Sequence, residues 1–190
     1  MSEAKGESPG ESQPGLRERG LPQPEPWLRG DLLEVPAVAR AVLHALQLAR
    51  EDIDRWCGSL SGAELHARPF DLPSIAFHLC HVVRSLDRLL TYAEGDALSE
   101  KQIAGLRSEM DSGTERSAIF ADFHEGLAAA GRRVRSLATG DMEGKRGVGK
   151  KQLPASAGGL MVHLADHTQR HVGQAITTAK VILAQRDSDE

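Results

Sequence analysis

Four long segments of this chain repeat apolar residues at the three- and four-residue spacing of one helix face. In the first segment Val42, Leu46 and Ile53 follow this spacing after Pro36, a residue tolerated in a first helical turn. Aromatic residues make up only 4% of the chain, which disfavours a sheet protein. Four amphipathic helices of this length predict an all-α protein, a four-helix bundle around one shared core.

The predicted helices are separated by connections of different kinds. A long link at 96–112, with a short helical turn predicted at 102–110, allows helices two and three to run parallel. A loop rich in glycine and lysine, TGDMEGKRGVGKKQLPASAGG, precedes helix four. The four helices are expected at about 35–58, 73–95, 114–138 and 157–185.

The two ends of the chain differ in composition. Residues 1–30 hold five of the nine prolines together with much Glu, Ser and Gly, a composition that cannot bury enough apolar surface to offset the entropy of ordering. The sequence therefore predicts a disordered tail at 1–30 and a helical-bundle domain at 31–190.

Composition and motifs also limit the expected cellular compartment and the expected binding partners. The chain has two cysteines, Cys57 and Cys80, without the spacing of a metal motif, and it has no signal-peptide pattern or membrane-length apolar run. We expect a cytoplasmic protein with no membrane partner. The net charge of -4 and the lack of aromatics among the basic residues argue against nucleic acid. GKRGVGKK fails as a phosphate-binding loop because Lys151 stands where Ser or Thr would hold magnesium.

Three of the eight histidines lie at steps of four residues in HLADHTQRHVGQ. Since four residues exceed one helical turn by about 40°, His163, His167 and His171 form one slowly drifting stripe along predicted helix four. Gly173, just beyond the stripe, is expected to let a facing helix approach closely. The stripe allows these imidazoles to point at a common object.

A second pair of histidines lies in predicted helix two, where FHLCHVV places His78 and His81 three residues apart among apolar residues. One interpretation is a core histidine that is hydrogen-bonded to a carbonyl or a carboxylate. The other is a metal site, because helix bundles build such sites from side chains on facing helices. One histidine of helix two and two of helix four would supply three neutral ligands and leave coordination positions open.

SIAFHLCHV followed by HLADHTQRHVGQ resembles the DinB/YfiT-like family of four-helix-bundle metalloproteins. The resemblance covers roughly residues 35–186 and implies His81, His167 and His171 as the metal ligands. It leaves His78 and His163 as neighbours of the site. The family often has Arg at the position of Val172 and Asn at that of Asp166, and neither departure removes a ligand.

The resemblance also implies a chemistry. Members of the family include transferases and isomerases that use low-molecular-weight thiols, so a metal-dependent transfer of a small-molecule thiol to an electrophile is expected. A metal-dependent hydrolase and a non-catalytic, stress-associated metal-binding bundle are the alternatives. Imidazole ligands suit zinc, nickel, iron and copper alike, so the divalent metal stays open. The family also implies a homodimer.

The sequence argues against two other kinds of catalytic site. The H-E-x-x-H pattern of a metalloprotease is absent, because Leu164 and Thr168 follow the first histidines of the two H-x-x-x-H motifs. Cys80 adjoins His81 in sequence but projects about 100° away on a helix, so the pair is not expected to form a nucleophilic site.

Overall fold

The computed structural model of the protein describes residues 23–105 and 114–189. Most of the predicted disordered tail and the second half of the predicted turn at 102–110 lie outside these residues. Within the described part of the tail, Pro26–Leu28 forms a short 3-10 helix with Pro26 buried. The next residue, Arg29, forms an ion pair with Glu51.

Helices make up nearly all of the regular structure, so the all-α class is confirmed. The predicted helices correspond to α1, α3, α5 and α6, and α6 extends beyond its predicted end. The described elements are α1 (Ala37–Cys57), α2 (Gly62–His66), α3 (Ile75–Glu94), α4 (Glu100–Gly105), α5 (Arg116–Leu137), β1 (Lys145–Val148), β2 (Leu153–Ser156) and α6 (Ala157–Asp189).

Local residue chemistry explains where α2 and α3 begin and end. Ser61 and Glu64 form a reciprocal capping box at the start of α2, a short helix that the apolar pattern did not predict. The Ser74 hydroxyl accepts a hydrogen bond from the backbone N–H of Phe77 and so caps α3. Gly95 ends α3 in a left-handed conformation with φ +92°, as a glycine directly after a helix permits.

The predicted loop before α6 is in fact partly a β-hairpin, so that prediction is wrong. Strands β1 and β2 pair antiparallel, with Val148 opposite Leu153 at the turn. The turn contains Gly149 at φ +70° and Gln152 at φ +47°. Arg146 fixes the hairpin to the bundle because its Nε donates to the carbonyl of Ala93 at 2.7 Å. Short strands with charged residues lack the apolar alternation that predicts a sheet.

The four long helices form a bundle in which α5 and α6 each pack against both α1 and α3. On one side, Gln169 donates to the carbonyl of Ala45 and Lys180 lies over the ring of Trp56. These two contacts advance together along both chains, so α1 and α6 run parallel. The chain between α1 and α6 includes the other two long helices, α3 and α5.

Helices α3 and α5 are also parallel, as the long connection between them allows. Gly126 faces Val83, and farther along both helices Arg133 donates to Glu94 at 2.8 Å and to Asp87 at 2.7 Å. One buried apolar cluster joins all four long helices, and its fully buried members include Ile53, Leu79, Phe123 and Leu164. Among the described residues, no helix is both long and apolar enough to cross a membrane.

The close approach of two helices occurs at Gly126 rather than at Gly173. A Cβ atom built on Gly126 would overlap both methyl groups of Val83, whereas one built on Gly173 meets nothing within 4 Å. The expectation for Gly173 is therefore wrong, because this residue lies on the exposed face of α6. Glycine at 126 permits α3 and α5 to pack at short range.

Gly126→Ala is expected to destabilise the protein by up to about 2 kcal/mol. Overpacking against Val83 costs about 1–3 kcal/mol, and the higher helix propensity of alanine offsets about 1 kcal/mol of it. Gly173→Ala is the matched control and is expected to stabilise by about 0.5–1 kcal/mol, since nothing obstructs its Cβ. Urea unfolding measures both changes. Val83→Ala should rescue Gly126→Ala, and equal effects of the two glycine variants would contradict the described packing.

Candidate metal centre

Three histidines from two helices meet between α3 and α6. His81 of α3 lies opposite His167 and His171 of α6, with ring centroids 5.1 Å and 4.4 Å away respectively. Each residue offers one ligand atom, and the three atoms all lie within 4.8 Å of one another. All three side chains are only partly buried, so solvent and small molecules can reach the cluster.

The separation of the nitrogens fits a single metal ion. At a zinc–nitrogen bond length of about 2.0–2.1 Å, two ligands of a tetrahedral site are about 3.3 Å apart. Nε2 of His81 and Nε2 of His167 are 3.4 Å apart. The donor set is therefore compatible with a divalent metal.

The protonation state of His167 also favours metal binding. Burial lowers the pKa of His167 to about 4, and the neighbouring His171 and His81 lower it further in the same direction. At neutral pH this imidazole is uncharged and keeps a lone pair for a metal.

Residues one helical turn away on either side hold His81 in place. Phe77 stacks on the His81 ring with centroids 5.5 Å apart and an interplanar angle of 23°. On the other side Ser85 Oγ is 3.3 Å from Nε2 of His81. Arg88 donates to Ser85 Oγ at 3.1 Å. The spacing of four residues from His81 to Ser85 is the signal that could have identified this serine.

His78 lies behind the cluster and is only 2% exposed. Its Nδ1 is 3.1 Å from Nδ1 of His171, and its buried Nε2 has no hydrogen-bond partner among the described residues. Burial lowers the pKa of His78 to about 4, and the proximity of His171 and His81 contributes. His78 is therefore a neutral, buried imidazole in contact with a candidate ligand.

His163 belongs to the stripe but not to the cluster. Its exposed ring lies 5.4 Å from that of His167, and its Nδ1 is 3.9 Å from a carboxylate oxygen of Asp166. Asp166 also pairs with Arg170 one turn farther along α6. These exposed charges continue the stripe away from the cluster.

The two cysteines lie apart from the cluster in different surroundings. Burial raises the pKa of the Cys57 thiol to about 12, which is the behaviour of an inert core residue. Cys80 lines a cavity of about 470 Å³ between α3 and α5, on another side of α3. A cavity of about 1070 Å³ between α1 and α6 is lined in part by Trp56 and Asp52 and contains none of the three clustered histidines. The donor set, and not cavity volume, therefore identifies the candidate site.

Together the fold and the cluster define a class of protein, a helical bundle with a three-histidine candidate metal centre between two of its long helices. The chain belongs to the DinB superfamily, whose family model matches residues 45–175. This range contains His81, His167 and His171, and it confirms the family that the histidine motifs resemble. No curated protein and no solved structure matches the chain.

Proposed function

We propose that this protein binds one divalent transition metal through His81, His167 and His171 and uses it to transfer a low-molecular-weight thiol to an electrophile. The observation that carries the proposal is the convergence of three imidazoles whose ligand atoms lie within 4.8 Å of one another. Membership in the DinB superfamily supports it, because the thiol chemistry expected from the resemblance uses the same three ligands.

The donor set suits an anionic sulfur ligand. Three neutral imidazoles do not reduce the charge of a bound divalent ion, and they leave coordination positions open. A metal held there would lower the pKa of a bound thiol and so supply a thiolate nucleophile near neutral pH. The electrophile then has to approach from the partly exposed side of the cluster.

Polar groups of α3 favour negative charge at this place. The Ser85 hydroxyl accepts a hydrogen bond from Arg88 and lies 3.3 Å from Nε2 of His81, so it stands beside the nitrogen that would bind the metal. Ser85 is 5% exposed, and its fixed position places a hydroxyl dipole backed by a guanidinium at the edge of the cluster. These two groups would hold and orient an anionic reactant.

The hydrolase alternative has less support from the residues. Hydrolysis by a metal-bound water commonly uses a carboxylate general base, as the glutamate of H-E-x-x-H provides. Leu164 and Thr168 occupy the equivalent positions here. Transfer of a thiolate requires no such base.

Metal-dependent consumption of a thiol tests the proposal. Protein loaded with Zn²⁺, Ni²⁺ or Fe²⁺ is mixed with cysteine or glutathione and 1-chloro-2,4-dinitrobenzene, and the thioether product is followed by absorbance. We expect product to form faster than with free metal in buffer, and to fall to that background after chelation or in His81→Ala. His124→Ala is the control, since this histidine pairs with Asp54 away from the cluster.

The other results separate the alternatives. Hydrolysis of p-nitrophenyl acetate without thiol consumption would replace the transferase with a hydrolase. Stoichiometric metal binding with neither activity would indicate a non-catalytic bundle. Failure to bind any of the three metals would overturn the proposal entirely.

A further inference from the structure

Packing in an apolar core does not explain why a histidine is buried at position 78. It is 2% exposed, lies among apolar residues of α3, and leaves Nε2 without a hydrogen-bond partner in the described part of the chain. A buried polar atom in this state costs free energy that a leucine of similar volume would avoid. A histidine at this position therefore points to a role beyond packing.

The contact between His78 and His171 restricts where their protons lie. Their Nδ1 atoms are 3.1 Å apart, a hydrogen-bond distance at which one nitrogen must donate and the other accept. A neutral imidazole carries a single N–H, so the proton that occupies one nitrogen of a ring determines the role of the other.

A metal ligand fixes the direction of this hydrogen bond. When Nε2 of His171 gives its lone pair to a metal, the proton of that ring is on Nδ1 and is donated to Nδ1 of His78. The proton of His78 is then on Nε2, the atom that the fold buries without an acceptor. The short contact is thus compatible with this arrangement of protons.

We propose that His78 is a positioning residue of the metal centre, whose Nδ1 accepts a hydrogen bond from His171 and holds that ring with Nε2 towards the metal. This inference rests on the metal binding of the proposed function. It gives α3 two tasks, because His81 binds the metal directly and His78, one turn earlier, orients a ligand of α6. Groups behind a metal-binding histidine commonly set its tautomer and ring orientation.

His78 acts through His171 and is not itself a fourth ligand. The nitrogens of one imidazole ring direct their lone pairs away from each other, so the Nδ1 side of His171 faces away from a metal on Nε2. His78 contacts that Nδ1 side. Removing His78 should therefore weaken the site without changing the set of atoms that bind the metal.

Two substitutions separate positioning from packing and from ligation. His78→Leu removes the acceptor but fills the space, whereas His78→Asn keeps an oxygen near the position of Nδ1. Co²⁺ and Zn²⁺ affinities are measured by titration, the Co²⁺ visible absorption spectrum reports the ligand set, and urea unfolding of metal-free protein reports folding. We expect His78→Leu to bind both metals about 10- to 100-fold more weakly with an unchanged Co²⁺ spectrum. His78→Asn should recover most of the affinity.

The stability of the metal-free variants is a second measurement, and it is not expected to fall together with the metal affinity. Because His78→Leu removes a buried unpartnered nitrogen, its urea midpoint should equal or exceed that of the wild type while its metal affinity falls. A purely structural role predicts that both quantities fall together, and that result would overturn the inference. If His78→Leu does not fold, the metal affinities of His78→Asn and His78→Phe are compared instead. Only the asparagine keeps an acceptor for His171, so this comparison decides in the same way.

The remaining results distinguish this inference from the proposed function. Wild-type protein that binds neither Co²⁺ nor Zn²⁺ would overturn both. Wild-type binding with equal affinity in His78→Leu would overturn only the positioning role. A Co²⁺ spectrum altered in His78→Leu, as expected for His171→Ala, would make His78 a ligand and would also overturn it.

Discussion

His167→Ala is expected to remove the metal from the protein. The wild type should hold close to one divalent metal per chain, because three imidazole nitrogens converge from α3 and α6. Structural zinc sites gain about 10–16 kcal/mol from about four ligands, or roughly 3–4 kcal/mol each. Loss of one ligand should therefore weaken binding by roughly a hundredfold to a thousandfold. Elemental analysis and metal titration of protein purified without a histidine tag measure this change.

His163→Ala is the matched control for that experiment. It makes the same chemical change on the same helix, one turn before His167, at an exposed ring outside the cluster. We expect its metal content and affinity to remain at the wild-type level. Equal loss in both variants, or full retention in His167→Ala, would contradict the ligand set of His81, His167 and His171.

Phe123→Ala is expected to cost about 3–5 kcal/mol of unfolding free energy. The Phe123 side chain of α5 is 1% exposed and belongs to the apolar cluster that joins the four long helices. Its truncation removes apolar burial and leaves a cavity that the neighbouring helices can only partly fill. Urea unfolding of the metal-free protein gives the value without a contribution from metal binding.

Phe70→Ala provides the comparison for Phe123. This phenylalanine is 79% exposed, so the same truncation should change the unfolding free energy by less than about 0.5 kcal/mol. A cost below about 1 kcal/mol at Phe123 would mean that α5 does not pack into the core as described.

The long helices were predictable because their signals are local. Apolar spacing, the glycine after α3 and the proline before α1 all act within a few residues of chain. The parallel course of α3 and α5 was compatible with the length of their connection but was not determined by it. The hairpin was missed because its strands are four residues long and carry no alternating apolar pattern.

For the candidate site, too, some features were predictable from the sequence and others were not. The spacing of His163, His167 and His171 places their rings on one face of a helix, and the family resemblance selected His167 and His171 together with His81. The family motif then agreed with the cluster that the fold brings together. Spacing alone could not show that His78 faces inward to His171 while His163 lies exposed at the outer end of the stripe.

The sequence by itself determined the helical class and the four long helices, because these depend on periodicity within single segments, whereas the choice of His81, His167 and His171 among the histidines came from the family resemblance. Only the tertiary structure decided the 3.4 Å separation of His81 and His167, the burial of His78 and the close approach at Gly126. Each of these depends on how far one helix is rotated and shifted against another. That rotation and shift are set by the packing of the whole core, to which every helix contributes.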